Sequence, residues 1–99
     1  MNVRVEVQYF EGCPHEIAMR QNVTEAIASL PTNVDNAETL VNTDAETIQA
    51  KFRGSPTLLI NGDDFLGSPA PEMPAMACRY YPNGIPTVQE ILSHLVGRI

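Results

Sequence analysis

The most constraining feature of this chain is a change of period. Val3, Val5, Val7 and Tyr9 alternate with Arg4, Glu6 and Gln8, and the alternation ends at Glu11-Gly-Cys-Pro-His-Glu16. Period two is the pattern of a strand with one face buried. Beyond the junction the apolar residues Ile17, Met19, Val23, Ala26, Ile27 and Leu30 recur with helical spacing until Pro31. Pro14 suits a first helical turn, where its missing N–H costs nothing, and Glu16 suits the positive end of the helix dipole. The chain therefore opens with a strand that turns directly into a helix, and a cysteine, Cys13, stands at the turn.

The remaining elements follow from local signals. Val34 to Asn42 carries a weaker strand pattern, and Thr43-Asp-Ala-Glu46 is a capping box that opens a short helix ending near Gly54. Thr57-Leu-Leu-Ile60 reads as a strand. Asn61-Gly62 predicts a two-residue hairpin turn, because both residues tolerate positive φ, and it returns the chain into Asp64-Phe-Leu66 and a close near Gly67. Pro69, Pro71, Pro74 and Pro82 argue against a long regular element in the following segment, which reads as a loop with room for one helical turn. Thr87-Val-Gln-Glu90 is a second capping box, and Val88, Ile91, Leu92, Leu95, Val96 and Ile99 fall on one face of a last helix. The order βαβαββα predicts an α/β fold: two parallel strands joined by a helix, an appended antiparallel hairpin, and a four-stranded mixed sheet flanked by helices.

At 99 residues the chain is a single domain, 1–99, able to bury roughly 65% of its unfolded surface and so to fold without staples. Twelve acidic residues against 6 basic ones leave no positive field to gather phosphates or anionic lipid, so nucleic acid and membranes are not expected partners. No apolar run approaches the ~20 residues of a membrane span, and no basic or apolar leader precedes Val3. A cytoplasmic protein is expected. In that compartment thiols are reduced by default, so two cysteines suggest reactivity or metal chemistry rather than a permanent scaffold.

Three stretches, Gly12-Cys-Pro-His15, Gly54-Ser-Pro-Thr57 and Ile60-Asn-Gly62, stand at places where the thioredoxin-like superfamily carries its marks, and nearly the whole chain resembles a thioredoxin fold. Cys-Pro-His is also similar to the start of the Cys-Pro-His-Cys site of bacterial periplasmic disulfide oxidases. The chain looks closest to small bacterial thioredoxin-like proteins with a Tyr-Phe-x-Gly-Cys-Pro beginning and a later Cys-Arg-x-Tyr, here Cys78-Arg-Tyr-Tyr81. Two departures matter. Glu16 stands where dithiol oxidoreductases have their second cysteine, and the segment from Gly67 to Ile85 is longer than a minimal fold needs. The resemblance implies a cis Ser55-Pro56 bond, against about 5% of X-Pro bonds generally. It also implies that Pro56 faces Cys13 across a backbone edge open to an extended thiol-bearing substrate, with Pro14, Ser55 and Thr57 as substrate-binding positions.

The chemistry of the junction agrees with that resemblance. A thiol at a helix N-terminus meets unpaired N–H donors and the positive end of the dipole, which favour its thiolate. An imidazolium at His15 would add to this, whereas the carboxylates of Glu11 and Glu16 oppose it. In the resembled fold the loop after Leu66 starts on the side of Cys13, making Cys78 a candidate resolving thiol or, equally, a buried cysteine packed against tyrosine. Three functions stay open. In the first, Cys13 attacks as a thiolate in disulfide or peroxide chemistry, Cys78 or an external thiol resolves the intermediate, and Cys13, Cys78, His15 and Pro56 form the catalytic set. Its partners would be protein or small-molecule thiols and disulfides, met by a monomer without a cofactor. In the second, Cys13 and Cys78, with Met73 and Met76 nearby, hold a soft metal or metalloid; methionine filling an irregular loop is the simpler account of those side chains. In the third, the domain is a protein-binding adaptor. No Cys-x-x-Cys or pairing of His15 with His94 suggests zinc, and no glycine-rich phosphate loop is present.

Overall fold

The computed structural model describes residues 3–31 and 33–98. Strands β1 (Arg4–Tyr9), β2 (Asp35–Leu40), β3 (Thr57–Ile60) and β4 (Asp63–Asp64) and helices α1 (Glu16–Ala28), α2 (Asp44–Ala50) and α3 (Val88–Val96) follow one another in the expected order βαβαββα. They form an α/β domain with one mixed sheet, ordered β2-β1-β3-β4. β1 and β2 run parallel across the α1 crossover, with Val5 opposite Asn36 and Val7 opposite Glu38. β3 pairs antiparallel with β1, placing Leu58 opposite Val7 and Ile60 opposite Val5.

This register follows from the side-chain pattern. Val3, Val5 and Val7 share one face of β1 and join Leu58 and Ile60 under Met19, Val23 and Ala26 of α1 and Ile91 and Leu95 of α3. β3 is interior to the sheet and buried along all four residues, whereas β2 at the edge keeps polar residues toward solvent. On the opposite face of β1, Gln8 is buried, and its Nε2 donates to the Ala50 carbonyl at the end of α2. Asn61 and Gly62 have φ of 53° and 85°, the double positive φ that their hairpin turn requires. Both capping boxes mark helix starts. The Thr43 hydroxyl accepts from the Glu46 N–H and the Thr87 hydroxyl from the Glu90 N–H, and the Glu90 carboxylate accepts from the Thr87 N–H in return.

Several boundaries differ from the sequence reading, each for a local reason. α1 starts at Glu16, with His15 as its N-cap, and its buried stripe is Glu16, Met19, Val23 and Ala26. Ile17, expected on that stripe, is 58% exposed, and Glu16 takes the inward place with its carboxylate 2.7 Å from Arg20. The Arg20 guanidinium lies over the Tyr9 ring, so ion pair and stacking together replace an apolar contact. α2 stops at Ala50 rather than near Gly54, because Lys51 adopts a left-handed conformation and the Phe52 N–H turns back to the Thr47 carbonyl. β4 ends at Asp64, short of Leu66, because the Asp64 carboxylate accepts the N–H groups of Leu66 and Ser68 and folds the chain over at once. The proline-rich segment contains no helical turn. Val96, expected on the apolar face of α3, is 56% exposed, and Ile99 lies outside the described residues. No helix among the described residues is long and apolar enough to cross a membrane.

Met19 is fully buried in the core shared by the sheet, α1 and α3. Met19→Ala should cost about 3 kcal/mol of unfolding free energy, read from the denaturant midpoint at unchanged slope.

Candidate functional site

The site is built where β1 hands over to α1. Gly12, at φ 102°, supplies a backbone bend that a side chain would strain, and it delivers Cys13 to the N-terminal end of the helix. The Glu16 N–H lies 3.4 Å from the Cys13 carbonyl, and the Met19 N–H donates to His15. Cys13 is only 6% exposed. The Glu16 carboxylate, next to it in the first turn, is occupied by both Nε and Nη2 of Arg20, which offsets its repulsion of negative charge at the cysteine.

Cys78 arrives from the other direction and is joined to Cys13 in a disulfide, with the two Cα atoms 5.6 Å apart. That separation lies in the middle of the range a disulfide spans. The segment carrying Cys78 crosses the end of the sheet as an extended strap. It forms an isolated parallel bridge with Ser55: the Ser55 N–H donates to the Ala77 carbonyl at 2.8 Å, and the Arg79 N–H donates to the Ser55 carbonyl at 2.8 Å. Both backbone groups of the residue preceding Pro56 are therefore taken by this chain's own strap.

Residues beyond the cysteines hold the strap down. The Arg79 guanidinium grips Asp64 with two parallel bonds, 2.6 Å to Oδ1 and 2.9 Å to Oδ2, and also reaches Thr57 Oγ1 and Ser68 Oγ. Its side chain is 11% exposed and that of Asp64 1%. Burial alone would push the Asp64 carboxyl up, but the hydrogen bonds from Arg79 and from the Ser68 and Leu66 amides, with the guanidinium charge, hold it below its ordinary value. The hydrogen bond to Asp64 raises Arg79 in turn, against the opposing effect of burial. Two residues on, Tyr81 enters the core and donates its hydroxyl to the Pro56 carbonyl; burial pushes its phenol up to about 12, so it stays a donor. Gly54 lets the strap lie this close: a Cβ there would stand 2.9 Å from Cβ of Arg79.

The residues singled out from the sequence take distinct positions around this strap. Cys13 and Cys78 are joined, Cys78 bridges Ser55, the residue before Pro56, and the Ser55–Pro56 peptide is cis. His15 is exposed and sits edge-on to the Tyr81 ring, with centroids 6.5 Å apart. Pro14 is exposed beside Cys13. Ser55 is fully buried, its Oγ donating to the Phe10 carbonyl and accepting the Phe10 N–H, a clasp between β1 and the approach to β3. Thr57, also buried, donates Oγ1 to the Gly54 carbonyl at 2.6 Å. Met73 is 88% exposed and Met76 half-buried, and no group of three His, Cys, Asp or Glu side chains converges among the described residues. His94 packs against Phe65, away from the site.

Asp64 was not legible as part of the site, and Arg79 and Tyr81 were marked only as members of the Cys78-Arg-Tyr-Tyr81 stretch. Asp63-Asp64 reads as a solvated hairpin end, yet Asp64 is buried. The available signal was the charge of Arg79 beside Cys78: an arginine next to a cysteine in an apolar, proline-rich loop needs an acid.

Arg79→Met should cost about 3 kcal/mol at neutral pH, because it strands the buried Asp64 carboxylate. The pKa of Asp64 is lowered in the folded state, so its stabilising contribution is present above about pH 4 and is lost as pH falls through the lower folded value. In the variant that contribution is absent. The gap between the two proteins, read from denaturant midpoints, should therefore narrow as pH drops below about 4.

No protein-family model, curated protein or solved structure matches this chain.

Proposed function

We propose that the chain is a thioredoxin-like thiol–disulfide redox protein in which Cys13 and Cys78 alternate between a dithiol and a disulfide. The observation that carries this reading is the pairing itself: two cysteines 65 positions apart meet at a helix N-terminus, beside a cis proline at the head of a central strand. The sheet order β2-β1-β3-β4, with a parallel β1/β2 pair and an antiparallel β3/β4 hairpin, supports the fold assignment.

The physical setting supports reversibility. A thiolate released at the N-terminal end of a 13-residue helix gains from the dipole and the free N–H groups, which stabilises the reduced form relative to the bond. Arg79, Tyr81 and the Ser55 bridge hold the strap by contacts that do not involve sulfur, so both thiols stay near each other after reduction. Re-formation of the bond is then an intramolecular step at high effective concentration. Within a reducing compartment such a pair cycles rather than serving as a permanent staple.

The reaction needs no cofactor: two thiols of the protein and one external disulfide exchange two electrons, giving the Cys13–Cys78 bond and two external thiols. Protein kept in excess dithiothreitol should show two alkylatable thiols while still folded, and exposure to glutathione disulfide should convert it to the intramolecular bond, seen by peptide mass mapping. Cys13→Ser should leave the exposed Cys78 to accumulate as a sulfenic acid under peroxide or as a disulfide-linked dimer. A native protein whose bond resists millimolar dithiothreitol would instead be a stapled domain without redox turnover.

A further inference from the structure

We infer that external thiols enter at Cys78, that Cys13 is the sulfur that leaves, and that the substrate is a compact thiol rather than an extended polypeptide strand. This rests on the redox reading above and assigns direction and substrate class within it.

Access decides the point of attack. A thiolate displaces one sulfur of a disulfide along the axis of the breaking bond, so it needs open space on the far side of the sulfur it attacks. Cys13 is 6% exposed. Cys78 is exposed, on a strap whose neighbours Ala77 and Tyr80 are exposed as well, Tyr80 to 82%. Leaving-group quality points the same way. The sulfur expelled carries away the electron pair of the broken bond, and a thiolate that is stabilised where it forms leaves faster. Cys13 forms its thiolate at the N-terminal end of α1, whereas Cys78 lies in a segment with no helix behind it.

The step balances as an exchange. An external thiolate bonds to Sγ of Cys78, the Cys78–Cys13 bond breaks, and its electron pair stays on Sγ of Cys13. A second external thiolate then attacks the external sulfur of the mixed disulfide and frees Cys78 as its thiolate. The protein has gained two electrons and the external pair has become a disulfide. In the opposite direction the Cys13 thiolate attacks a mixed disulfide on Cys78, so Cys13 is the resolving thiol and Cys78 the contact thiol.

The strap also sets the class of thiol. An extended peptide would need backbone donors and acceptors beside the cysteines, and those of Ser55 are already bonded to Ala77 and Arg79. Displacing the strap would require breaking the buried Arg79–Asp64 pair and withdrawing Tyr81 from the core, which costs far more than one peptide bridge returns. A thiol of the size of cysteine or glutathione reaches Cys78 with the strap in place.

The test uses the oxidised full chain. Glutathione is added, the reaction is quenched with acid within the first tenth of the reduction, free thiols are alkylated, and the peptides are mapped. The expected product carries glutathione on Cys78 and the alkyl group on Cys13, at least tenfold over the reverse arrangement. Glutathione mainly on Cys13, or shared equally, overturns the assignment while leaving redox turnover intact. A bond that no thiol reduces in the folded protein overturns the redox reading and this inference with it. At equal thiolate concentration, a ten-residue peptide with one central cysteine should react no faster than glutathione; a tenfold advantage for the peptide would overturn the substrate class.

Discussion

The ion pair between Arg79 and Asp64 holds this structure's site together. It links the end of the β-hairpin to the strap that crosses the sheet, and nearly everything around the cysteines depends on where that strap lies. A buried carboxylate is tolerable only when its lone pairs are used, and here they are: two by the guanidinium and others by the Leu66 and Ser68 amides. The same carboxylate ends β4 and anchors Arg79, so the shortness of that strand and the position of Cys78 have one cause. Tyr81 extends the anchor into the core, and Gly54 leaves room for Arg79 to pass.

The arrangement separates two tasks that one pair of cysteines might otherwise have to share. Docking of the strap rests on an ion pair, a phenol and two backbone hydrogen bonds as well as on the disulfide, so on the proposed redox reading the bond can open without releasing the strap. An edge preceding a cis proline, which the resemblance to thioredoxin-like proteins would reserve for substrate, is here occupied from within. This makes the long segment after Gly67 part of the site rather than a decoration of the fold.

Much of the architecture was legible in the residues because it depends on short-range physics. The alternation of Val3 to Tyr9, the two capping boxes and Asn61-Gly62 each specify local backbone geometry, and the structure realises them, with the box at Thr87 complete and the one at Thr43 formed on its hydroxyl side alone. What was not legible depends on partners distant in sequence. Glu16 replaces Ile17 on the inner side of α1 because Arg20 and Tyr9 await it; Lys51 closes α2 in a conformation that usually signals glycine; Asp64 is buried because Arg79 returns 15 residues later. The cysteines fall between these cases. The place of Cys13 at the strand-to-helix turn is legible locally, but its bond to Cys78 requires a path for the strap that the packing of Arg79 and Tyr81 supplies.

On the proposed redox reading, the strap stays docked whether or not the sulfurs are bonded. Amide hydrogen exchange of Ser55 and Arg79, measured in the oxidised and the reduced protein, tests it most directly, because these two amides donate the hydrogen bonds of the strap's bridge. The account predicts that both remain protected after reduction, within about tenfold of their rates in the oxidised protein, a change of about 1.4 kcal/mol in opening free energy. Exchange of both amides at rates of an unprotected loop on reduction, with the rest of β3 still protected, would contradict it.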